Sequence, residues 1–259
     1  MSKTLMKAVL CLGALGVSVA ASAADVTAKI AWSQRAELGT LVSGVISEVH
    51  VSPGQSVKQG AKLVSLDQRG FNSEVARRNA EVSHTQALLQ EAKRDDDRAI
   101  ELYDRTVLSD FERNQAAVAL KSARASAEAA RAALVAAKLD LERSVVTAPF
   151  DAMVLAVNAV PGESVVSELQ SRPLVTVADN RRYHATAVVD ADTAARLQPG
   201  QALKATVRGE TRDAKVAFVG FEPVGDAAAA APGYELVAEI GADPEQPLRV
   251  GESVTLHLE

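Results

Sequence analysis

The chain has 259 residues, a formal net charge of −5 at pH 7, 47% hydrophobic residues and only 3% aromatic residues. This length predicts one to two domains, and the negative charge argues against nucleic acid or an anionic lipid surface as the main partner. The single cysteine, Cys11, excludes an intrachain disulfide. It follows Ala8-Val9-Leu10, which lacks the small residue that a lipobox needs directly before its cysteine, so the sequence argues against a lipid anchor.

Residues 1–23 have the pattern of a Sec-type signal peptide. Lys3 and Lys7 precede an apolar run over residues 8–20, and Ala21-Ser22-Ala23 forms an A-x-A cleavage site. The apolar run is shorter than the roughly 20 residues that a spanning helix needs. We therefore predict cleavage after about Ala23 and export of the mature protein to the periplasm.

Two segments with the same pattern follow at a wide separation. Pro53-Gly54-x-Ser56-Val57 aligns with Pro161-Gly162-x-Ser164-Val165, and alternating apolar residues flank both. The alternation is typical of half-buried strands, and Pro-Gly favours a type II turn. The repeat predicts one folded unit split into two halves, which we assign to residues 39–69 and 146–180.

The stretch between the two halves predicts a pair of long helices. Residues 71–148 contain no glycine and no proline, the strongest helix breakers, and lie between Gly70 and Pro149. The pattern is interrupted near Thr106, and Ser109 with Glu112 forms a capping box that starts a second helix. We predict an antiparallel α-helical hairpin over residues 70–145, with arms of about 35 residues that span roughly 50 Å each.

Seven-residue spacing predicts which faces of the two arms meet. In the first arm we assign to the seam Phe71, Val75, Val82, Leu89, Ala92, Ala99 and Tyr103. In the second arm we assign Phe111, Val118, Ala125, Ala132 and Leu139, together with Gln115, Ser122, Ala129 and Ala136.

The C-terminal region, residues 181–259, predicts a small antiparallel β-barrel. Alternating runs at residues 183–190, 201–208, 215–221, 234–240 and 253–258 are separated by turns. One short helix is expected at residues 192–197 and an alanine-rich loop at residues 226–232.

A search for catalytic, cofactor-binding and metal-binding residues finds none. The four histidines lack ligand spacing, and the consecutive carboxylates Asp95, Asp96 and Asp97 would point about 100° apart on a helix and could not converge on one ion. No nucleophile-elbow, zincin, P-loop or dinucleotide-binding motif appears. We predict that the protein is not an enzyme and holds no cofactor or metal.

The order of these segments resembles a known family. The two half-motifs, together with residues 57–63 and 147–154, resemble the halves of a biotinyl/lipoyl domain, although Ala152 stands where glycine is usual. Half-motif, hairpin, half-motif and barrel together resemble the periplasmic adaptor subunits, or membrane fusion proteins, of the HlyD and RND efflux type. The resemblance implies an elongated modular α+β fold, in which a long antiparallel α-helical hairpin is inserted in a split lipoyl-like β domain that a small antiparallel β-barrel follows. For residues 24–38 it suggests a strand of that barrel, and we expect no membrane-proximal domain of the kind found in longer members.

The resemblance also implies a function and a docking site. An adaptor of this type bridges an inner-membrane efflux transporter, with the RND type favoured, to a TolC-like outer-membrane channel for export of small molecules, as a homo-oligomeric ring such as a hexamer. Members that dock on such channels carry an arginine, a leucine four residues later and a serine seven further, and Arg98, Leu102 and Ser109 have that spacing. The alternative is that these are a solvated charge, a seam residue and a helix cap.

Other functions remain as alternatives. The adaptor could serve an ATP-driven exporter of the ABC or type I class, or the hairpin could be a periplasmic scaffold unrelated to transport. A lipoyl-type carrier needs a lysine at the turn between its two halves, but the helices occupy that turn and residues 67–70 contain no lysine. A periplasmic hydrolase or solute-binding protein is a further alternative, but the sequence contains no recognisable motif for either function.

Overall fold

The structure, a computed structural model, describes residues 24–167, 172–224, 233–242 and 248–258. The predicted signal peptide, residues 1–23, and the predicted alanine-rich loop, residues 226–232, lie outside the described residues. The described chain divides into two units. The helical unit comprises residues 32–183 and 242, and the barrel unit comprises the described parts of residues 24–31, 184–241 and 248–258.

Strands and helices follow one another along the described chain in this order: β1 (Ala24–Trp32), β2 (Arg35–Leu38), β3 (Gly44–Val49), β4 (Ser56–Val57), β5 (Lys62–Leu66), α1 (Arg69–Asp104), α2 (Asp110–Arg143), β6 (Val145–Thr147), β7 (Ala152–Val157), β8 (Ser164–Val165), β9 (Val175–Ala178), β10 (Arg182–Asp190), α3 (Ala191–Arg196), β11 (Ala202–Val207), β12 (Glu210–Val224), β13 (Gly233–Gly241) and β14 (Ser253–Leu258).

The helical unit contains two sheets, and each combines strands from before and after the helices. Their orders are β2-β9-β7-β4 and β6-β5-β3-β8. The two halves pair reciprocally: β4 pairs antiparallel with β7, and β8 pairs antiparallel with β3. Because each half supplies strands to both sheets, both halves must be present for either sheet to form.

The internal repeat is visible in the turns that carry Pro-Gly. Gly54 and Gly162 have φ values of 84° and 88°, the left-handed region that the third position of a type II turn requires. The amide of Gly54 donates to the carbonyl of Val154 at 2.7 Å, and the amide of Gly162 donates to the carbonyl of Ile46 at 2.8 Å. The two halves therefore make equivalent bonds to each other.

Apolar side chains from both halves fill the space between the strands. Leu63, Val154 and Val177 are completely buried in this core. Phe71 at the start of α1 packs against this core. Directly after the end of α2, the carbonyl of Ser144 accepts a hydrogen bond from the amide of Leu66 at 2.8 Å. The helices thus leave and re-enter the strands at one place, and since residues 105–109 also join their other ends, they run antiparallel.

The barrel unit is a closed antiparallel barrel in the order β1-β10-β13-β12-β11-β14. The first and last strands of the described chain are neighbours, with Val26 opposite Leu256 and Ala28 opposite Val254. Inward-facing residues alternate with exposed ones along β10 and β11. The strand predicted at residues 215–221 is longer in the structure, where β12 runs from Glu210 to Val224. It begins earlier because a tight turn at Arg208 and Gly209 connects it directly to β11.

Candidate partner-binding surfaces of the helix pair

The free end of the helix pair, here called the tip, closes α1 with a strained turn. The amide of Val107 donates to the carbonyl of Leu102 at 3.0 Å, and the amide of Thr106 donates to the carbonyl of Tyr103 at 2.8 Å, which is a Schellman motif. Thr106 has φ 61°, where glycine is usual and a β-branched residue is strained. The left-handed conformation costs about 1–2 kcal/mol in a residue with a Cβ.

The start of α2 has the opposite character, because the predicted capping box is confirmed. The hydroxyl of Ser109 accepts a hydrogen bond from the amide of Glu112 at 3.3 Å, and the amide of Ser109 donates to Oε2 of Glu112 at 3.1 Å. The hydroxyl of Ser109 also donates to Oε2 of Glu112 at 2.7 Å. These bonds from Ser109 lower the pKa of Glu112, because they favour its charged form.

A contact between the helices supports the tip from within. The guanidinium carbon of Arg113 lies 5.2 Å from the ring centroid of Tyr103, a cation-π geometry. The hydrogen bond and negative charge of Asp110 raise the pKa of the Tyr103 hydroxyl. Tyr103 therefore joins the last turn of α1 to the first turn of α2.

The structure brings the predicted docking residues to this end of the pair. Arg98 is exposed and pairs with Asp95, at 3.0 Å between Nη1 and Oδ1. Leu102 is half-buried, and Ser109 is exposed at the helix cap. Ser109 is therefore a helix cap, as the alternative interpretation predicts, and docking by these three residues stays a prediction.

Two large apolar side chains at the tip were missed as candidate contacts. Val107 is 71% exposed and Phe111 is 76% exposed. The sequence offered a signal, because both lie within two residues of the predicted turn. Phe111 had been assigned to the seam instead.

The seam predicted for α1 is confirmed. Ala99 is buried, and the other assigned residues are half-buried: Phe71, Val75, Val82, Leu89, Ala92 and Tyr103. Thr85, which interrupts the apolar pattern, is buried too, and its hydroxyl donates to the carbonyl of Glu81 at 2.9 Å. That bond satisfies the hydroxyl within its own helix, so the seam tolerates it.

The seam predicted for α2 is wrong by one or two residues. The buried residues of α2 are Ala127, Ala130 and Ala137, and the half-buried ones at the same spacing are Leu120, Ala123, Leu134 and Leu141. All residues assigned to the seam are exposed: Phe111, Gln115, Val118, Ser122, Ala125, Ala129, Ala132, Ala136 and Leu139. The seven-residue series from Phe111 to Leu139 lies two residues from the observed seam, or about 200° around the helix, which places it opposite α1. Ser122, Ala129 and Ala136 lie one residue, or about 100°, from the observed seam.

Solved structures share this arrangement of strands, helix pair and barrel. The membrane fusion protein Spr0693 from Streptococcus pneumoniae R6 matches with a TM-score of 0.72 and 17% identity, over 91% of this chain and 98% of that chain. A MacA-MexA chimeric protein that contains the α-hairpin domain of Pseudomonas aeruginosa MexA matches with a TM-score of 0.64 and 22% identity, over 91% and 78%. MacA from Actinobacillus actinomycetemcomitans matches with a TM-score of 0.61 and 22% identity, over the same shares.

The chain has the membrane fusion protein fold. At these identities the comparison establishes the fold alone, and no protein-family model matches the chain. The predicted mixture of helices and strands with a barrel is confirmed.

Within this membrane fusion protein fold, α2 carries an apolar face that α1 does not cover. We call this face the outer stripe and define it by Phe111, Val118, Ala125, Ala132, Val135 and Leu139. Val118 is 65% exposed and Val135 is 66% exposed. At its lower end Leu139 lines a cavity of about 600 Å³ together with Leu38 and the exposed Leu41. Exposed apolar faces of this length mark interaction surfaces.

The described residues offer no alternative metal or membrane-spanning site. In residues 24–167, 172–224, 233–242 and 248–258, no group of three histidine, cysteine, aspartate or glutamate side chains is placed to hold a metal ion. No helix in that part of the chain combines the length and the apolar character that crossing a membrane requires.

Proposed function

We propose that the protein is a periplasmic adaptor that bridges an inner-membrane efflux transporter to a TolC-like outer-membrane channel, for export of small molecules. The observation that carries the proposal is a helix pair of 36 and 34 residues, inserted between two interlocked halves of a β unit in a fold shared with membrane fusion proteins. Helices of this length span roughly 50 Å and enclose no pocket between them. A spacer that docks at its end fits this shape better than a catalytic site does.

The two interleaved sheets fit a lipoyl-like domain that the hairpin splits. Each half contributes the same strand, turn and strand, and the halves make equivalent hydrogen bonds. The helices take the place of the short turn that would otherwise connect the halves. The side chain of Gln68, before α1, donates a hydrogen bond of 3.0 Å to the hydroxyl of Ser144, after α2, so the two ends of the hairpin are joined at its base.

We assign channel docking to Arg98, Leu102 and Ser109 at the tip. The guanidinium of Arg98 can offer charge-assisted hydrogen bonds to a partner, because its present partner Asp95 is an exposed carboxylate on the same helix. Val107 extends this surface with exposed apolar area, and Phe111, the first residue of the outer stripe, lies beside it at the start of α2. A contact of this composition, a charge beside apolar side chains, is typical of specific protein interfaces.

The outer stripe supports a homo-oligomeric ring in which hairpins pack side by side. It lies on the face of α2 that points away from α1, so a neighbouring copy can reach it without disturbing the pair. Its small residues, Ala125 and Ala132, would let two helix backbones approach closely. Six copies would form the hexamer that the resemblance implies.

We favour an RND-type transporter and a periplasmic location with a cleaved signal peptide. The tip residues, which match the spacing of channel-docking adaptors, support the RND type. An ATP-driven exporter of the ABC or type I class remains the second candidate, because a shared fold does not by itself distinguish transporter classes.

In-cell photocross-linking tests the proposal. A photoreactive residue replaces Val107 at the tip, where 71% exposure leaves the side chain accessible, and another replaces the exposed Val188 of the barrel unit. We expect an outer-membrane channel in the Val107 adduct and an inner-membrane transporter in the Val188 adduct, and mass spectrometry would identify both. Absence of any membrane-protein adduct from a folded, exported protein would contradict the bridging function.

A charge reversal separates the tip from the rest of the adaptor. Arg98→Asp should reduce the Val107 cross-link to the channel and leave the fold intact, since exposed charges contribute little to stability. Arg124→Asp, at an exposed position in the middle of α2, is the matched control. If both variants kept the channel adduct, the assignment of Arg98 would be wrong, although the bridging function would still be supported.

A further inference from the structure

The barrel unit contains a cavity of about 410 Å³ that the adaptor function does not use. It lies between the short helix α3 and the strands β12 and β13. The residues that line it are Ala191, Ala194, Ala195, Leu197, Pro199, Phe218, Val219, Gly220, Phe221 and Tyr234.

The chain forms this cavity through a short helix and an irregular strand. Asp190 caps α3, with its Oδ1 atom accepting from the amide of Thr193 at 2.7 Å, and alanines keep the face of α3 narrow. The pairing of β12 with β13 shifts register twice, between Val216 and Phe218 and between Val219 and Pro223. These irregularities turn aromatic side chains of β12 toward α3 instead of into the barrel.

Gly220 is needed for this geometry. A Cβ atom at that position would lie 3.3 Å from the backbone nitrogen of Glu235 on the neighbouring strand, which is tighter than ordinary contact. The glycine therefore allows β12 and β13 to stay close at the irregular segment. A larger distance between β12 and β13 at this point would change the shape of the cavity.

Three of the nine aromatic residues of the chain line this one cavity. The chain has five phenylalanines, three tyrosines and one tryptophan, and Phe218, Phe221 and Tyr234 all line the cavity. The rings of Phe218 and Phe221 meet edge to face, with centroids 6.3 Å apart and an interplanar angle of 70°. Phe218 is 45% exposed and Phe221 is 90% exposed, so neither serves the barrel core.

The composition of the lining defines the class of ligand. Among the residues that the structure describes, no charged side chain lines the cavity, and its volume falls within the range of about 300–1,000 Å³ that is typical of small-molecule sites. Exposed aromatic rings around an uncharged concave site suit an apolar molecule that itself contains rings.

We propose that this cavity binds a small, uncharged, apolar organic molecule, with Phe218 and Phe221 packing against it. The site stands independently of the adaptor function, because the isolated chain contains every residue that forms it. Release of water from the apolar lining drives the binding.

Titration with the apolar fluorophore N-phenyl-1-naphthylamine tests this site. Purified full-length protein in detergent-free buffer should enhance the fluorescence of the probe saturably, at one molecule per chain. Phe218→Ser should raise the Kd about tenfold, because it removes one side of the aromatic lining. Ala194→Leu should abolish binding by filling the cavity from the side of α3.

Val250→Ser is the matched control, since Val250 is an exposed apolar residue of the same barrel unit and lies outside the lining. It should leave the Kd unchanged. Far-UV circular dichroism of each variant confirms the fold, and Phe221→Ser, at a largely exposed position, replaces Phe218→Ser if that variant unfolds. Unsaturable binding, or equal binding by wild type and both cavity variants, would overturn the proposal, as would binding that requires a second protein.

Discussion

The two long helices differ in how they use their apolar residues. α1 places most of its larger apolar side chains, half-buried, in the seam with α2, and its exposed Leu88 and Ile100 lie on separate faces, about 120° apart around the helix. α2 buries alanines against α1 and leaves Phe111 and Val118 on the opposite face. α1 therefore has one apolar face, whereas α2 has two, one buried against α1 and one exposed.

The largest expected effect comes from placing a charge in the seam of α2. Ala127 is 1% exposed, so Ala127→Asp would bury a carboxylate without a partner and lower the free energy of unfolding by about 3 kcal/mol or more. Urea denaturation followed by circular dichroism at 222 nm measures the change. Ala125→Asp makes the same substitution two residues earlier on the outer stripe and should have little effect. Equal destabilisation by the two variants would contradict the seam.

A second pair of variants compares adjacent residues of α2. Leu134 is half-buried in the seam and Val135 belongs to the outer stripe. Leu134→Ala should lower the free energy of unfolding by about 2 kcal/mol, whereas Val135→Ala should be close to neutral, because alanine favours the helix. Thermal unfolding of each variant in dilute solution measures the two changes in stability. A larger loss for Val135→Ala in dilute solution would place that residue in the intramolecular core.

The tip gives a smaller effect of opposite sign. Thr106→Gly should raise the free energy of unfolding by about 1 kcal/mol, because glycine adopts φ 61° without strain. Thr106→Ala keeps a Cβ atom and should give no comparable gain. Urea denaturation of the three proteins measures the difference. An unchanged midpoint for Thr106→Gly would show that the turn relaxes without cost.

The smallest effect concerns pH at the base of α1. Hydrogen bonds from Arg77 and Arg78 lower the pKa of Glu74 to about 2. Because this value is below that of the unfolded chain, the ionised Glu74 stabilises the fold at neutral pH, and the contribution is lost as pH falls from about 4.5 towards 2. Glu74→Gln should unfold at a lower temperature than wild type at pH 7 and at the same temperature near pH 2. If the difference in melting temperature between wild type and Glu74→Gln did not change with pH, the stabilising role of ionised Glu74 would be contradicted.

The contrast between the helices also explains why one seam could be predicted and the other could not. In α1 the residues between the seam positions are mostly polar, so a single seven-residue pattern stands out. In α2 alanine recurs on every face, and several seven-residue patterns compete. Phe111 and Val118 favoured the wrong pattern, because a large apolar side chain was taken as a sign of burial.

The sequence by itself determined the order of elements, their approximate ends and the internal repeat. Glycine, proline and the capping box at Ser109 act locally, so their effects can be predicted without the fold. The tertiary structure decided which face of α2 meets α1 and that Phe218, Phe221 and Tyr234 share one cavity. These outcomes depend on how closely alanine-lined backbones approach and on register shifts between distant strands. Neither is encoded in the spacing of residues along one element.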